Sequence, residues 1–473
     1  MLREVSDLSF VPYVTERNGY KMDKFTAVIM AAGMGTRMKS EKPKVIHEIC
    51  RKPICAYAID AAREAGAGQI IMIVGHCREA VIEKLGDVCE YAYQAEQKGT
   101  GHACMQAADM INEKYCVILS GDAPLLRAES IKKAVEFHVS EKNAVTVLTA
   151  CADDPTGYGR IIRDADGSVV KITEHKDATD EERKIREINS GMYVFNSADL
   201  KEALGKIKPD NSQGEYYLTD TIEIIKSEGK KAGGFVLLDI DEIRGINDRV
   251  QLCEAEKIMQ KRINESFMRG GVTIHSPETV LISPDCEIGS DTEIFSDTVI
   301  ERGSKIGSGV TITSASRISN AVIGSGVSVQ SSVILDSTVG ENTTVGPFAY
   351  IRPNCVIGKK ARIGDFVELK NANIGDGTKV SHLTYVGDSD VGEGCNFGCG
   401  TVTVNYDGKK KYRTTIGNNV FIGCNSNLVA PVTLKDGAYT AAGSTITDEV
   451  PENNLAIARA RQVNKEIWKD RRK

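Results

Sequence analysis

Residues 31–44 have the types and spacing that phosphate chemistry requires. An apolar stretch typical of a buried strand leads into AAGMGTRM at residues 31–38, and Lys44 follows soon afterwards. Glycines between a strand and a helix let backbone N–H groups approach phosphate oxygens, and a helix N-terminus favours negative charge. A tight turn with two solvated basic residues, Arg37 and Lys44, is the alternative. The third glycine of a dinucleotide fingerprint is missing, which argues against a Rossmann dehydrogenase.

A second group, between residues 352 and 412, could bind a phosphate and move a proton. Arg352 and Lys370 stand three six-residue units apart. If three such units form one coil of a repeating structure, their cationic ends lie one coil apart, where a phosphate would offset their repulsion. A solvated surface pair is the alternative. His382 is a candidate general base for an amine nucleophile, because imidazole titrates near neutral pH, although a single histidine is more often structural.

The first group lies in a half of the chain where strand-like and helix-like segments alternate. Apolar stretches at 26–30, 69–74, 115–120 and 144–149 predict buried parallel strands, and helical patterns at 53–65 and 131–139 lie between some of them. This alternation predicts an α/β, Rossmann-like domain with a mainly parallel sheet, whose ligand site lies at the carboxyl ends of the strands. Asp122 follows the third of these strands and suits a hard cation, with a turn-capping role as the alternative.

In the second half, the hydrophobic period changes to six residues. The pattern is clearest in a run of isoleucines at positions 282, 288, 294, 300, 306, 312 and 318, and it resumes after slips of register. A period of six predicts a left-handed parallel β-helix, in which each hexapeptide supplies one short strand and one corner. Three hexapeptides form a coil, so residues separated by three hexapeptides stack at the strand spacing of about 4.8 Å.

Composition indicates which classes of binding partner and which cellular compartment to expect. The formal net charge is −6, which argues against a nucleic-acid or anionic-membrane partner. No stretch approaches the roughly 20 apolar residues that span a bilayer, and the N-terminus lacks a signal-peptide core. The 13 cysteines are odd in number and widely spread, which favours reduced thiols and a cytoplasmic location.

These patterns predict five segments. They are an N-terminal extension at 1–21, an α/β domain at 22–249, a linker helix at 250–270, a β-helix domain at 271–459 and a basic tail at 460–473. The extension is expected to be disordered, because it carries no recognisable partner for the first strand and chain termini are poorly ordered unless docked.

Further motifs show which family the chain resembles. Besides residues 33–38 and Lys44, the chain contains QAEQKGTGH at 94–102, GDAPL at 121–125, EHKDA at 174–178, EINSG at 187–191 and GEYYLTD at 214–220. With the β-helix, these motifs closely resemble the bifunctional N-acetylglucosamine-1-phosphate uridylyltransferase and glucosamine-1-phosphate N-acetyltransferase family. The resemblance extends from residue 22 nearly to the end.

The resemblance implies a uridylyltransferase site in the first half. There the phosphate of N-acetylglucosamine 1-phosphate would attack UTP and release pyrophosphate. The implied contacts to UTP and the UDP-sugar are Ala32, Gly33, Arg37, Lys44, Gln94, Gly99, Thr100, Gly159, Glu174, Asn189 and Asn247, of which Arg37 and Lys44 are counted as catalytic. Asp122 and Asn247 would hold Mg²⁺.

The resemblance also implies an acetyltransferase site in the β-helix. His382 would be the general base that activates the amine of glucosamine 1-phosphate toward acetyl-CoA. The implied substrate contacts are Arg352, Lys370, Tyr385, Asn396, Asn405 and Tyr406, and the implied coenzyme A contacts are Cys399, Cys424, Ala442 and Arg459. The product, UDP-N-acetylglucosamine, would serve peptidoglycan and lipopolysaccharide synthesis. Cys399 and Cys424 replace the alanine and serine that are common in the family. At Cys424 a thiol, which is a weaker hydrogen-bond donor, stands in place of the hydroxyl that would contact coenzyme A.

Assembly is also implied. Lys370 and His382 stand two hexapeptides apart, about two faces of a three-sided prism, so we expect them to point from different edges of one chain. A substrate that touches both would fit in a groove beside a neighbouring prism, with the loop near Tyr406 helping to close it. Prisms around a threefold axis form three such grooves, and the family assembles as trimers, so a homotrimer is expected.

Two rival functions remain open. One is a single-activity nucleotidylyltransferase whose β-helix only regulates or oligomerises, as in relatives that make ADP-glucose or GDP-mannose. The cluster of Arg352, Lys370, His382 and Tyr385 argues against it, because a regulatory β-helix does not need these residues. The other is a non-catalytic scaffold, against which the intact set of Lys44, Asp122 and Asn247 argues.

Overall fold

A computed structural model describes residues 23–211 and 213–465. The predicted extension at 1–21 and most of the basic tail therefore lie outside the described residues. The chain divides into two compact units, Met1–Glu48 with Pro53–Ala255 and Ile49–Lys52 with Glu256–Lys473.

The first unit is built on a nine-stranded, mainly parallel sheet. Phe25–Ala31 lies at its centre and pairs in parallel with Gln69–Val74 on one side and Tyr115–Ser120 on the other. The four predicted strands are confirmed, the last of them at Val145–Cys151. Two strands run against the parallel pattern. Glu187–Asn196 lies antiparallel between Tyr115–Ser120 and Val145–Cys151, and Val169–Thr173 is antiparallel to Arg160–Arg163. The remaining strands of this sheet are Glu90–Tyr93 and Ala232–Leu237.

Helices pack on both faces of this sheet, and two hydrophobic cores result. Both predicted helices are present, as Ile54–Glu64 and Ala128–Ser140. The others in this unit are Arg78–Leu85, Thr100–Ala107, Ser197–Leu204 and Asp220–Ser227. A long helix, Arg249–Arg269, then runs to the glycines that precede the repeats. Within residues 23–211 and 213–465, the structure contains no helix with the length and apolar character that crossing a bilayer requires.

The second unit is a parallel β-helix. Its short strands, from Thr273–Ile274 to Leu455–Ala456, form sheets of 11 and 17 strands. Leu281–Ile282 pairs with Val299–Ile300, which in turn pairs with Arg317–Ser319, so each coil here has the predicted length of three hexapeptides. Ile282, Ile300 and Ile318 are fully buried and stack inside the prism, which confirms the role assigned to the six-residue period.

The register slips after Ile318, and this decides which side chains meet farther along. Ile318 pairs with Ile334 rather than with position 336, and Leu369 pairs with Val386 rather than with position 387, so these coils are shorter than three hexapeptides. The strands that carry the second candidate site lie in this region, at Arg362–Asp365, Glu368–Ile374, Lys379–His382 and Tyr385–Val391.

Candidate active sites

The glycine-rich loop closes against Lys44. Gly35 has a φ of +61°, and a Cβ at this position would lie 2.6 Å from Cβ of Lys44. Only glycine tolerates both the left-handed backbone and this close approach. Arg37 is exposed in the short turn Thr36–Met38, and the backbone of Ala32 and Gly33 leads into the same loop.

Three predicted residues converge at the carboxyl end of the central strands. The Lys44 ammonium contacts the carboxylate of Asp122 and donates to Oδ1 of Asn247 at 3.2 Å. The backbone of Ile246 fixes this geometry, because its N–H donates to the carbonyl of Asp122 at 2.9 Å. One cation therefore already reaches both oxygen ligands, so the pair fits a divalent metal ion. Neither side chain of the Lys44–Asp122 pair is more than 24% exposed.

Gln94, Gly99 and Thr100 lie together beside the loop. Gln94 is 4% exposed, and its amide donates to the carbonyl of Gly99 at 3.2 Å. Gly99 has a φ of +105° and lies so close to Tyr216 that a side chain there would clash with backbone. Thr100 begins the helix Thr100–Ala107 and accepts the N–H of Leu218 at 3.1 Å.

Gly159, Glu174 and Asn189 also converge. The N–H of Asn189 donates to the carbonyl of Gly159 at 2.9 Å, and a Cβ on Gly159 would lie 3.6 Å from Oε1 of Glu174. Burial raises the pKa of Glu174, and the nearby carboxylate of Asp177 adds to the effect. Tyr193 holds Asn189 through hydrogen bonds of 2.9 and 3.1 Å between its hydroxyl and the amide. The group offers hydrogen-bonding partners for a polar ligand such as a sugar.

In the β-helix, Arg352 and Lys370 lie one coil apart, and each has a carboxylate partner. Arg352 donates its N–H to the carbonyl of Leu369, which places it in register with Lys370. Arg352 pairs with Glu368 at 2.9 Å and Lys370 pairs with Asp388 at 3.4 Å. We name these four charged residues the phosphate cluster. The two carboxylates offset part of the repulsion between the cations. From the sequence, only a bound anion is expected to do so.

Asn405 and Tyr385 border the phosphate cluster. The Asn405 amide contacts Asp388 and donates to the hydroxyl of Tyr385 at 3.3 Å. Lys411 lies on the loop between the strands Val402–Val404 and Thr414–Ile416. It lies beside Lys370, and this contact between two ammonium groups lowers the pKa of Lys411. The loop thereby brings a third cation to the cluster.

His382 belongs to a second group, which follows one edge of the prism. Asp365 pairs in register with His382. Cys399, Cys424 and Ala442 follow on the next three coils, and backbone hydrogen bonds of 3.4, 2.8 and 2.8 Å link the successive levels. We name these five residues the His382 column. Arg459 lies at its far end and donates to the carbonyl of Ala442 at 3.0 Å.

Two predicted residues lie apart from these groups within the chain. Asn396 is in the short strand Asn396–Phe397, which pairs with Lys379–His382 on the 11-stranded sheet. Tyr406 is 56% exposed on the loop, and its hydroxyl donates to the carbonyl of Gly408. In the part of the chain that the structure describes, no side-chain hydrogen bond joins the phosphate cluster to the His382 column.

Three acidic residues of the site are not predicted from the sequence: Asp365, Glu368 and Asp388. All three are partners of predicted residues, but Asp365 and His382 are separated by one residue less than three hexapeptides. Acidic residues near lysine and arginine also look like ordinary solvated charge. Applying the slipped register to His382 would have identified Asp365.

Comparison with known proteins gives the family background. A Nucleotidyl transferase family model matches residues 26–241, and a GMPPB C-terminal domain model matches residues 333–471. The Bifunctional protein GlmU of Acetivibrio thermocellus is 54% identical over 449 residues, covering 94% of this chain and 97% of the relative. The protein of the same name from Caldanaerobacter subterraneus subsp. tengcongensis is 54% identical over 95% of this chain and 99% of its own. That of Clostridium botulinum strain 657 is 55% identical over 94% and 98%.

Proposed function

This chain belongs to the family of bifunctional GlmU proteins, and from that premise we propose that it makes UDP-N-acetylglucosamine in two steps. It acetylates glucosamine 1-phosphate with acetyl-CoA, then transfers uridylyl from UTP to the resulting N-acetylglucosamine 1-phosphate. The observation that carries this function is the presence in one chain of two chemically different groups, one around Lys44 and Asp122 and one around His382. We assign the first reaction to residues 271–459 and the second to residues 22–249, with 250–270 as the linker.

Uridylyl transfer needs neutralised charge and in-line positioning. An oxygen of the sugar phosphate attacks the α-phosphorus of UTP, a P–O bond forms, and the bond to pyrophosphate breaks. Lys44 and Arg37 hold the triphosphate, and Asp122 and Asn247 are the residues that would hold Mg²⁺, a hard cation suited to oxygen ligands. Bound there, Mg²⁺ would neutralise charge on the phosphates.

The two remaining groups of this site recognise the base and the sugar. Gln94, Gly99 and Thr100 form a compact surface for the uracil base. Gly159, Glu174 and Asn189 receive the N-acetylglucosamine ring. Since Glu174 is half-buried, each hydrogen bond that it accepts from a sugar hydroxyl is worth more than in water.

Acetyl transfer needs a base but no protein nucleophile. The amine of glucosamine 1-phosphate attacks the thioester carbonyl, a C–N bond forms, and the C–S bond breaks as coenzyme A leaves as a thiolate. Nε2 of His382 accepts the proton that the amine loses, because Nδ1 is engaged by Asp365 at 2.7 Å. The cysteines therefore have no role as acyl carriers.

The two groups in the β-helix bind different substrates of acetyl transfer. The phosphate cluster, with Tyr385 and Asn405, receives glucosamine 1-phosphate, and Asn396 and Tyr406 supply further sugar contacts. Coenzyme A extends along the His382 column past Cys399, Cys424 and Ala442 to Arg459. This order places the thioester next to His382.

We propose that the protein is a homotrimer with shared acetyltransferase sites. Phe348, Phe366 and Leu383 form an apolar ridge beside the His382 column and are 59%, 58% and 58% exposed. The two phenyl rings stack with centroids 5.4 Å apart. An exposed ridge of this kind is typical of a protein interface. A second copy on it would bring its own residues to the edge that carries His382.

The compartment is also a proposal. All 13 cysteines are free thiols, which supports a reducing cytoplasm. The partners that we propose are small molecules and other copies of the chain, rather than nucleic acid or membrane.

The function is tested by an omission assay with glucosamine 1-phosphate, acetyl-CoA, UTP and Mg²⁺. UDP-N-acetylglucosamine should form only when all four components are present. Nucleotide-sugar formation from ATP and an unacetylated sugar phosphate would instead support the single-activity alternative. Formation of N-acetylglucosamine 1-phosphate without UTP should proceed normally, because the first reaction does not use the nucleotide.

A further inference from the structure

Asp365 makes the one side-chain hydrogen bond to the imidazole of His382 within residues 23–211 and 213–465. Its Oδ1 lies 2.7 Å from Nδ1 of His382. The two residues end adjacent strands, Arg362–Asp365 and Lys379–His382, and stand in direct register on the 11-stranded sheet. The contact is therefore built into the backbone of the prism.

The geometry determines which nitrogen of His382 can act as a base. A carboxylate only accepts hydrogen bonds, so a partner at Nδ1 requires the proton on that nitrogen and leaves the lone pair on Nε2. The hydrogen bond from His382 holds the pKa of Asp365 below its usual range, so this carboxyl is ionised at neutral pH. The opposite tautomer would face Asp365 with a lone pair and would be repelled.

The exposed ring of His382 needs the hydrogen bond to Asp365 to stay in one orientation. Within one chain the side chain of His382 is 53% exposed, so the packing that this chain provides leaves the ring free to change rotamer. General base catalysis requires the accepting nitrogen within about 3 Å of the proton it removes, so a rotating ring would lose rate. A carboxylate that the strand register brings beside Nδ1 limits this rotation.

We infer that Asp365 is a positioning residue for acetyl transfer: it fixes the tautomer and orientation of His382 so that Nε2 takes the proton of the amine. This inference rests on the proposed role of His382 as general base. Asp365 acts through His382, so its removal should change turnover rather than substrate binding.

The test compares Asp365→Ala with Glu341→Gln, which removes a surface ion pair with Lys359 elsewhere on the prism. Asp365→Ala should lower kcat of acetyl transfer at least tenfold, with KM for both substrates within twofold and uridylyl transfer unchanged. Glu341→Gln should match the wild type in every assay. Should the alanine variant not fold, Asp365→Asn keeps the size, removes the charge and should lower kcat in the same direction.

Two further measurements separate positioning from a general loss of structure. Nitrogen-15 spectra of histidine-labelled protein should show His382 protonated at Nδ1 in the wild type and as a mixture of tautomers in Asp365→Ala. Adding Asp365→Ala to His382→Ala should cause no further loss, because the residue acts through the ring. Unchanged kcat in Asp365→Ala, or a raised KM with unchanged kcat, would overturn the inference. Full acetyl transfer by His382→Ala would instead overturn the proposed base.

Discussion

Lys44 stands where a metal ion would be expected, with one ammonium between the oxygens of Asp122 and Asn247. This arrangement satisfies both oxygens with one side chain of the same unit. Under the proposed function, Asp122 and Asn247 would hold Mg²⁺, which would neutralise charge on the phosphates, and Lys44 would contact the triphosphate.

Removal of divalent cations should therefore separate the two reactions. EDTA is expected to abolish uridylyl transfer and to leave acetyl transfer at its original rate, because no residue of the His382 column or the phosphate cluster requires a metal ion. Initial rates of both reactions with and without EDTA, followed by addition of Mg²⁺, measure this. Uridylyl transfer that persisted in EDTA would contradict the assignment of a metal to Asp122 and Asn247. Loss of acetyl transfer in EDTA would contradict a mechanism in which His382 acts without a metal ion.

His138 should make the first unit sensitive to acid. It is fully buried, with its ring nitrogens 2.9 Å from Thr146 and 3.2 Å from Asn196, and burial lowers its pKa to about 4. Between this value and the unfolded value of about 6.5, the unfolded chain binds more protons. Its contribution to stability is therefore complete above pH 6.5 and declines by about 3 kcal/mol as the pH falls to 4.

The matched variant is His138→Gln, which does not titrate. Hydrogen exchange of peptides from Val145–Cys151, corrected for the intrinsic effect of pH, should show a steeper loss of protection in the wild type than in this variant between pH 6.5 and 4. Parallel pH profiles for the two proteins would show that folding does not lower the pKa of His138.

At the scale of elements, the hexapeptide strand is the unit of stability in the β-helix. In Val322–Ile323 the two side chains face opposite ways, and Ile323 is 1% exposed whereas Val322 is 47% exposed. This strand thus contributes one aliphatic side chain to the interior of the prism and one side chain to its surface.

Neighbouring substitutions in this strand should differ sharply. Ile323→Ala is expected to cost about 2–4 kcal/mol of unfolding free energy, because it leaves a cavity between coils. Val322→Ala should change it by about 0.5 kcal/mol or less. Urea unfolding followed by circular dichroism and by loss of acetyl transfer compares the two, and equal effects would contradict the predicted inward and outward faces.

The elements differ in how far the sequence predicts them. Seven isoleucines at a spacing of six predict the β-helix, because no other regular structure buries that period. The apolar stretch at 26–30 likewise predicts a buried strand. The antiparallel direction of Glu187–Asn196 is not predictable in this way, since an apolar pattern indicates burial but not direction.

The site residues also differ in how far the sequence predicts them. Family motifs identify Lys44, Asp122 and His382, whose chemical types are distinctive. Asp365 is not identified, because its role depends on the slipped strand register that brings it beside His382. Asp388 stands three hexapeptides after Lys370, so the period alone could have identified it. The length of each corner is set by backbone packing, and the period of the isoleucines does not encode it.

For the whole molecule, assembly should matter to one reaction only. Phe366→Asp places a charge on the apolar ridge and should dissociate the trimer, with acetyl transfer falling at least tenfold and uridylyl transfer unchanged. Val322→Asp, at an exposed position away from the ridge, serves as the control. Light scattering and both assays measure the outcome, and a monomeric Phe366→Asp with full acetyl transfer would contradict shared sites.

Two independent sites in one chain are tested most directly by mixing two variants. Asp122→Asn should convert glucosamine 1-phosphate to N-acetylglucosamine 1-phosphate and then stop, with uridylyl transfer slowed about a hundredfold. His382→Ala should fail at the first step but use added N-acetylglucosamine 1-phosphate normally. Neither variant alone should make UDP-N-acetylglucosamine from glucosamine 1-phosphate at an appreciable rate, and their mixture should do so as the intermediate passes through solution. A folded variant that had lost both reactions, or a mixture that stayed inactive, would contradict this account.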